Sequence, residues 1–179
     1  MGEFKFQNKY RIASSRLATY DYGANGAYFV TICTKDKAPY FGDIALINGE
    51  PVIQPTIIGQ RTIDGWLSIP TFSPFVKLDA FQLMPNHLHG VLFINKPEYD
   101  NWEPNTFGPQ SQNLASILRG FKSGVKAHAT TNNILFCWQT KYYDRVIRND
   151  NELNRIRHYI ENNPAQWLQD LENPEGLYM

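Results

Sequence analysis

At 179 residues, with 42% hydrophobic and 14% aromatic side chains, the chain is long enough for one substantial core and too apolar for a disordered segment. Seventeen basic residues balance seventeen acidic ones, which excludes a surface uniformly coated in positive charge and leaves local patches open. The two cysteines, Cys33 and Cys137, are far apart and lack CxxC spacing, so neither a disulfide framework nor a thiolate zinc site is expected. No stretch approaches the roughly 18 apolar residues of a membrane span, and the N-terminal MGEFKFQNKYRIASSR has no apolar centre. A soluble, cytoplasmic protein is expected.

Residues 1–26 are polar and weakly patterned and read as an arm, followed by a single domain over 27–167 and a C-terminal tail over 168–179. AYFVTICTK, from Ala27 to Lys35, is β-branched and aromatic and predicts the first strand. FGDIALI and PVI flank Asn48-Gly49, the signature of a tight hairpin. Thr56 to Leu67 reads as a helix grouping Ile57, Ile58, Ile63 and Trp66, with Pro70 closing it. PFVKLDAFQLM alternates as a strand, and the stretch after Pro85 makes its antiparallel neighbour. Residues 96–112 hold three prolines and read as a long loop.

Asn113 then caps a helix to about Thr130, with Leu114, Ile117, Leu118, Phe121 and Val125 as its apolar stripe. Tyr142 to Arg148 predicts a short last strand. Asn149 and Glu152 form an approximate capping box for a helix from Asp150 to Asn163, stopped by Pro164. The order of elements describes an α+β domain, a ferredoxin-like antiparallel sheet with helices on one face.

Within MPNHLHGVLFI, from Met84 to Ile94, two of the four histidines stand one residue apart. In a strand His87 and His89 share a face with Val91 and Phe93, while Leu88, Gly90, Leu92 and Ile94 make the opposite, apolar face. Neutral imidazole is a common metal ligand, so the pair reads equally as a metal site or as two satisfied structural side chains. No run of acids accompanies it, and His128 and His158 read as surface residues. An open site that borrows oxygen from substrate is more plausible than a closed structural one.

In NDNELNRIRHYIENNP, from Asn149 to Pro164, Leu153, Ile156 and Ile160 form a buried stripe. Tyr159 and Asn163 lie one turn apart on its flank. A phenol and an amide could thus face one metal together, although a tyrosine beside a stripe is more often core edge.

The combination resembles a known family. MPNHLHGVLFI resembles the histidine-hydrophobic-histidine (HUH) motif of the single-tyrosine transposases, and RIRHYIENNP resembles the tyrosine helix of their REP-associated branch. YFVTICTKDK, FKSGVK and WQTKYYDRVIRNDNEL follow in the order and character of that branch, so the resemblance spans roughly residues 20–165. It implies an HUH nuclease-like fold and covalent cleavage and rejoining of single-stranded DNA through a 5′-phosphotyrosine link. It also implies Tyr159 as nucleophile, His87 and His89 as metal ligands, Asn163 in the place of a third ligand, and Mg²⁺ or Mn²⁺ as cofactor.

Charge is unevenly spread. Residues 113–157 hold eight Lys or Arg against three Asp or Glu, and residues 158–179 hold four acids and no Lys or Arg. Arg119, Lys122 and Lys126 form a basic strip on the helix from Asn113, and Arg145 and Arg148 follow; together they are the candidate contacts to single-stranded or hairpin DNA. Tyr142, Tyr143, Trp102 and Trp138 could stack unpaired bases. The leading expectation is a DNA strand transferase, a transposase or domesticated relative, working as monomer or homodimer. A nonenzymatic nucleic-acid-binding domain and a small-phosphoester hydrolase are the alternatives.

Overall fold

Periodicity decides the layers. In the computed structural model, which describes residues 20–97 and 111–172, β1 (Gly26–Cys33) is the strand expected from its β-branched and aromatic content. β2 (Gly42–Ile47) and β3 (Glu50–Pro55) form a separate two-stranded hairpin. Asn48 and Gly49 both adopt positive φ, 52° and 85°, the left-handed pair that a two-residue hairpin turn requires. α1 (Ile57–Leu67) is capped by the Thr56 side chain, which accepts from the Gly59 N–H.

A short α2 (Ile69–Phe72), β4 (Val76–Met84), β5 (His87–Ile94), α3 (Leu114–Thr131), β6 (Tyr143–Ile147) and α4 (Asp150–Glu172) complete the chain. β4, β5, β1 and β6 lie in that order in one sheet, all neighbours antiparallel. This is the ferredoxin-like arrangement expected, with the β2–β3 hairpin inserted before α1.

α1 and α3 cover one face of the sheet. Tyr28, Val30, Ile32, Leu88, Leu92 and Ile94 point into that layer and meet Ile58 and Trp66 of α1 and Leu118, Phe121 and Val125 of α3. Gly90 is required there. A Cβ at this position would sit 2.3 Å from Cζ2 of the fully buried Trp66 ring, so the indole lies flush against β5. Gly90→Ala is expected to cost about 1–3 kcal/mol through forced repacking, read as a lower urea midpoint at unchanged m-value.

Two local expectations are corrected. Ile57 is 73% exposed, because burial in α1 falls on Ile58, Gly59, Thr62 and Trp66 instead. Pro70 lies in the first turn of α2, where its missing N–H costs nothing, rather than closing α1.

α4 covers the other face, so the helices are not confined to one face as the sequence leads one to expect. Leu153 and Ile160 pack with Phe29, Val91 and Ile147, and Ile156, Phe93, Ala27 and Ala80 extend that second, smaller cluster. Asn149 caps the helix, its Oδ1 accepting from the Glu152 N–H at 2.9 Å, while Glu152 Oε2 accepts from the Arg148 N–H at 3.0 Å. The helix does not stop at Asn163: it continues through Pro164 to Glu172. A proline inside a helix costs about 3 kcal/mol. Burial of Asn163 and Pro164, with the Trp167 ring 6.1 Å from that of His87, offsets it.

The reading of 96–112 as a loop falls mainly on residues 98–110, and the arm mainly on 1–19, outside the described residues. Among the described residues no helix is long and apolar enough to cross a membrane.

Candidate active site

His87 and His89 stand on the α4-facing side of β5, directly opposite Cys33 and Thr31 of β1 and Met84 and Gln82 of β4. Strand alternation alone puts both imidazoles on this face. Their ring centroids are 4.5 Å apart and their Nε2 atoms 3.0 Å apart. His89 is buried and stacks on Phe29 at 5.5 Å. Burial disfavours the imidazolium form of both rings, lowering the His87 pKa to about 4 and that of His89 to about 3; a hydrogen bond to the Asn163 side chain partly opposes the shift at His87. Both are therefore neutral at pH 7 and carry a lone pair.

The hydrogen-bond partners fix the tautomer of His87. Asn86 Oδ1 is 2.7 Å from His87 Nδ1 and can only accept, so the proton of His87 is on Nδ1 and Nε2 is an acceptor. The Asn86 amide is itself fixed, its Nδ2 donating to the Lys37 carbonyl at 3.1 Å. That carbonyl is turned inward by two consecutive left-handed residues, Asp36 (φ 55°) and Lys37 (φ 52°), a conformation costing on the order of 1 kcal/mol or more per residue.

His89 Nδ1 faces the Thr31 hydroxyl at 2.8 Å. Because a hydroxyl both donates and accepts, Thr31 serves either tautomer of His89: Nε2–H toward His87 with nothing between the rings, or Nδ1–H with both Nε2 atoms turned to a shared cation. Two ligands at about 2.1 Å and a right angle around an octahedral divalent ion are roughly 3.0 Å apart, so the observed spacing fits such an ion. Among the described residues no cluster of three or more His, Cys, Asp or Glu forms.

α4 brings the other two residues of the expected site to the same place. The Tyr159 hydroxyl lies 3.3 Å from His89 Nε2 while the side chain remains 45% exposed. Asn163, one turn on, is buried and hydrogen-bonds His87. The helix is clamped in register by Arg157, whose Nε and Nη2 donate to Asp79 Oδ1 and Oδ2 at 2.8 and 2.7 Å. The Arg157 guanidinium holds the Asp79 carboxyl below its ordinary range. Asp79 sits where the β4–β5 register shifts between Leu78 and Phe81, a bulge that re-aims its side chain.

The five basic residues fall into two groups. Arg119, Lys122 and Lys126 line a groove of about 900 Å³ along α3, in the layer on the sheet's other face, away from the histidines. Lys122 donates to the Gln139 and Thr140 carbonyls and Lys126 to the Phe136 carbonyl, so both ammonium groups hold the segment leading into β6. Arg145 is on the histidine side of β6, and Arg148 follows it beside the start of α4. Sequence reasoning missed Asn86, Thr31 and Phe29. Asn86 carries one sequence signal, its place next to His87, and the other two emerge only from strand register.

No family model matches this chain. An uncharacterized protein of Haemophilus influenzae Rd is 40% identical over 166 residues, 88% of this chain and 90% of that one. Among solved structures, a REP-associated tyrosine transposase bound to a REP hairpin superposes with a TM-score of 0.57 at 16% identity, over 87% of this chain and 74% of its own. A protein from Deinococcus radiodurans gives a TM-score of 0.44 at 16% identity, over 84% and 97%. The chain thus belongs to one family with the Haemophilus influenzae protein, and its fold is that of the REP-associated tyrosine transposase.

Proposed function

We propose that this protein cuts and rejoins single-stranded or hairpin DNA, with Tyr159 as nucleophile and His87, His89 and Asn163 holding Mg²⁺ or Mn²⁺. The observation that carries the reading is the Tyr159 oxygen 3.3 Å from His89 Nε2, with the His87 Nε2 a further 3.0 Å away, all within one chain. The hairpin bound by the structurally similar transposase supports DNA as the partner.

The cation, when bound, would neutralise charge on the phosphodiester and favour phenolate over phenol. The chain's own part follows from its atoms. The Tyr159 oxygen attacks phosphorus, the bond from phosphorus to the 3′ oxygen breaks, and the new phosphotyrosine ester keeps the energy of the bond it replaced. The phenol proton leaves to solvent, which reaches the half-exposed side chain, and water protonates the departing 3′ oxygen. Rejoining is the reverse, with the 3′ hydroxyl attacking the ester. No carboxylate joins the histidines in a cluster among the described residues, which favours strand transfer over hydrolysis.

The test incubates the protein with Mn²⁺ and end-labelled hairpins carrying single-stranded flanks. A denaturation-resistant adduct on the label 3′ to the cut supports the reading. Binding without adduct overturns it in favour of a nonenzymatic DNA-binding domain. Asn86 offers a second check that needs no turnover: Asn86→Ala frees the His87 tautomer and should weaken Mn²⁺ binding about 10–100-fold in calorimetry, with Asn86→Asp retaining most of it.

A further inference from the structure

The segment YYDRVIR, from Tyr142 to Arg148, takes no part in the proposed chemistry. Alternation in β6 divides its side chains between the two faces. Tyr142 and Val146 pack against the α1–α3 core, while Ile147 joins the α4 cluster. Tyr143 and Arg145 therefore share the face of the histidines.

Register places them closely. His89, Thr31 and Tyr143 are lateral partners across β5, β1 and β6, so Tyr143 stands two strand spacings, about 10 Å, from His89. Phe29 fills the gap: its ring is 6.3 Å from that of Tyr159 and 6.3 Å from that of Tyr143. Yet Tyr143 is 49% exposed, unlike its buried neighbour Ile147. Two residues on, Arg145 pairs with the buried Glu152 at 2.6 Å and leaves 57% of its side chain open. Both border a hollow of about 480 Å³ along the free edge of β6, which Arg148, Asn149, Glu152 and Arg155 also line.

We infer that this edge is a nucleotide subsite, with the Tyr143 ring stacking the base next to the cut phosphate and Arg145, oriented by Glu152, holding that nucleotide's own phosphate. The assignment rests on the strand-transfer reading for its direction, since Phe29 links the nucleophile to the platform. It separates two adjacent tyrosines that sequence alone treats alike: Tyr143 meets the substrate and Tyr142 packs against the core. An aromatic face accepts any base, so the subsite grips single strands without selecting sequence.

The test keeps binding apart from cleavage by using Tyr159→Phe protein in EDTA and a fluorescein-labelled hairpin with an oligothymidine flank. Tyr143→Ala should weaken binding about tenfold, Tyr143→Phe should restore it, and Arg145→Ala should lower the slope of log affinity against log salt by about one. With 5-iododeoxyuridine placed along the flank, ultraviolet light should join one position to residue 143, in the wild type and in Tyr143→Phe but not in Tyr143→Ala. Equal affinity in all three forms, or crosslinks only to α3 residues, overturns the subsite while leaving the cleavage reading intact. Failure of the wild type to bind the hairpin at all overturns both.

Discussion

Tyr159→Phe should abolish the covalent DNA adduct and reduce cleavage by on the order of 10³-fold or more, with hairpin and Mn²⁺ affinities within a few fold of wild type. The substitution removes one oxygen and nothing else of consequence. The ring's edge-on contact with Phe29 at 6.3 Å and its packing beside His89 at 5.1 Å both survive. Its half-exposed position keeps the change in stability small, so the melting curve is an internal control. Gel electrophoresis under denaturing conditions reads the adduct. If an adduct persists, the nucleophile is another residue, and Tyr143 on the same face becomes the first to replace.

Acid should destabilise the metal-free protein before Asp79 and Glu152 protonate. His87 and His89 have folded pKa values of about 4 and about 3, below the roughly 6.5 of an unfolded histidine. The unfolded chain therefore takes up protons at these positions as pH falls below about 6.5, while the folded chain does not. Stability is at its full value above pH 6.5 and declines continuously until the folded values are reached. Between pH 7 and 4.5 the loss should reach a few kcal/mol, a large part of the 5–15 kcal/mol typical of a domain.

Carboxylates add to it only lower down. Asp79, held low by Arg157, and Glu152, held low by the Arg148 N–H and then by Arg145, protonate below their ordinary range. Urea melts in EDTA at several pH values check this, and His89→Leu should flatten the curve over the same interval. A wild-type midpoint that does not move between pH 7 and 4.5 would mean that the two rings are solvated.

What sequence could and could not reveal divides along a physical line. Patterns with a period were legible: the alternation that puts His87 and His89 on one face, the α3 stripe from Leu114 to Val125, the Asn48-Gly49 turn. The spacing of Tyr159 and Asn163 was legible for the same reason. Contacts between distant segments were not. That Thr31 meets His89, or that Phe29 lies beneath it, depends on a one-residue choice of register between β1 and β5. Lys122 and Lys126 read as a solvent-facing basic strip because a sequence does not show that loop carbonyls will claim their ammonium groups. Pro164 read as a stop because local propensity said so, and burial on the sheet overrode it.

The fork between Arg157 and Asp79 has one more implication. It ties the helix bearing Tyr159 to an edge strand of the very sheet that displays the imidazoles, so the phenol and both histidines are held together on a single polypeptide. Under the strand-transfer reading each molecule is expected to be self-sufficient, with turnover per molecule unchanged on dilution. Two crippled copies, one lacking its phenol and the other its imidazoles, would have nothing to lend each other.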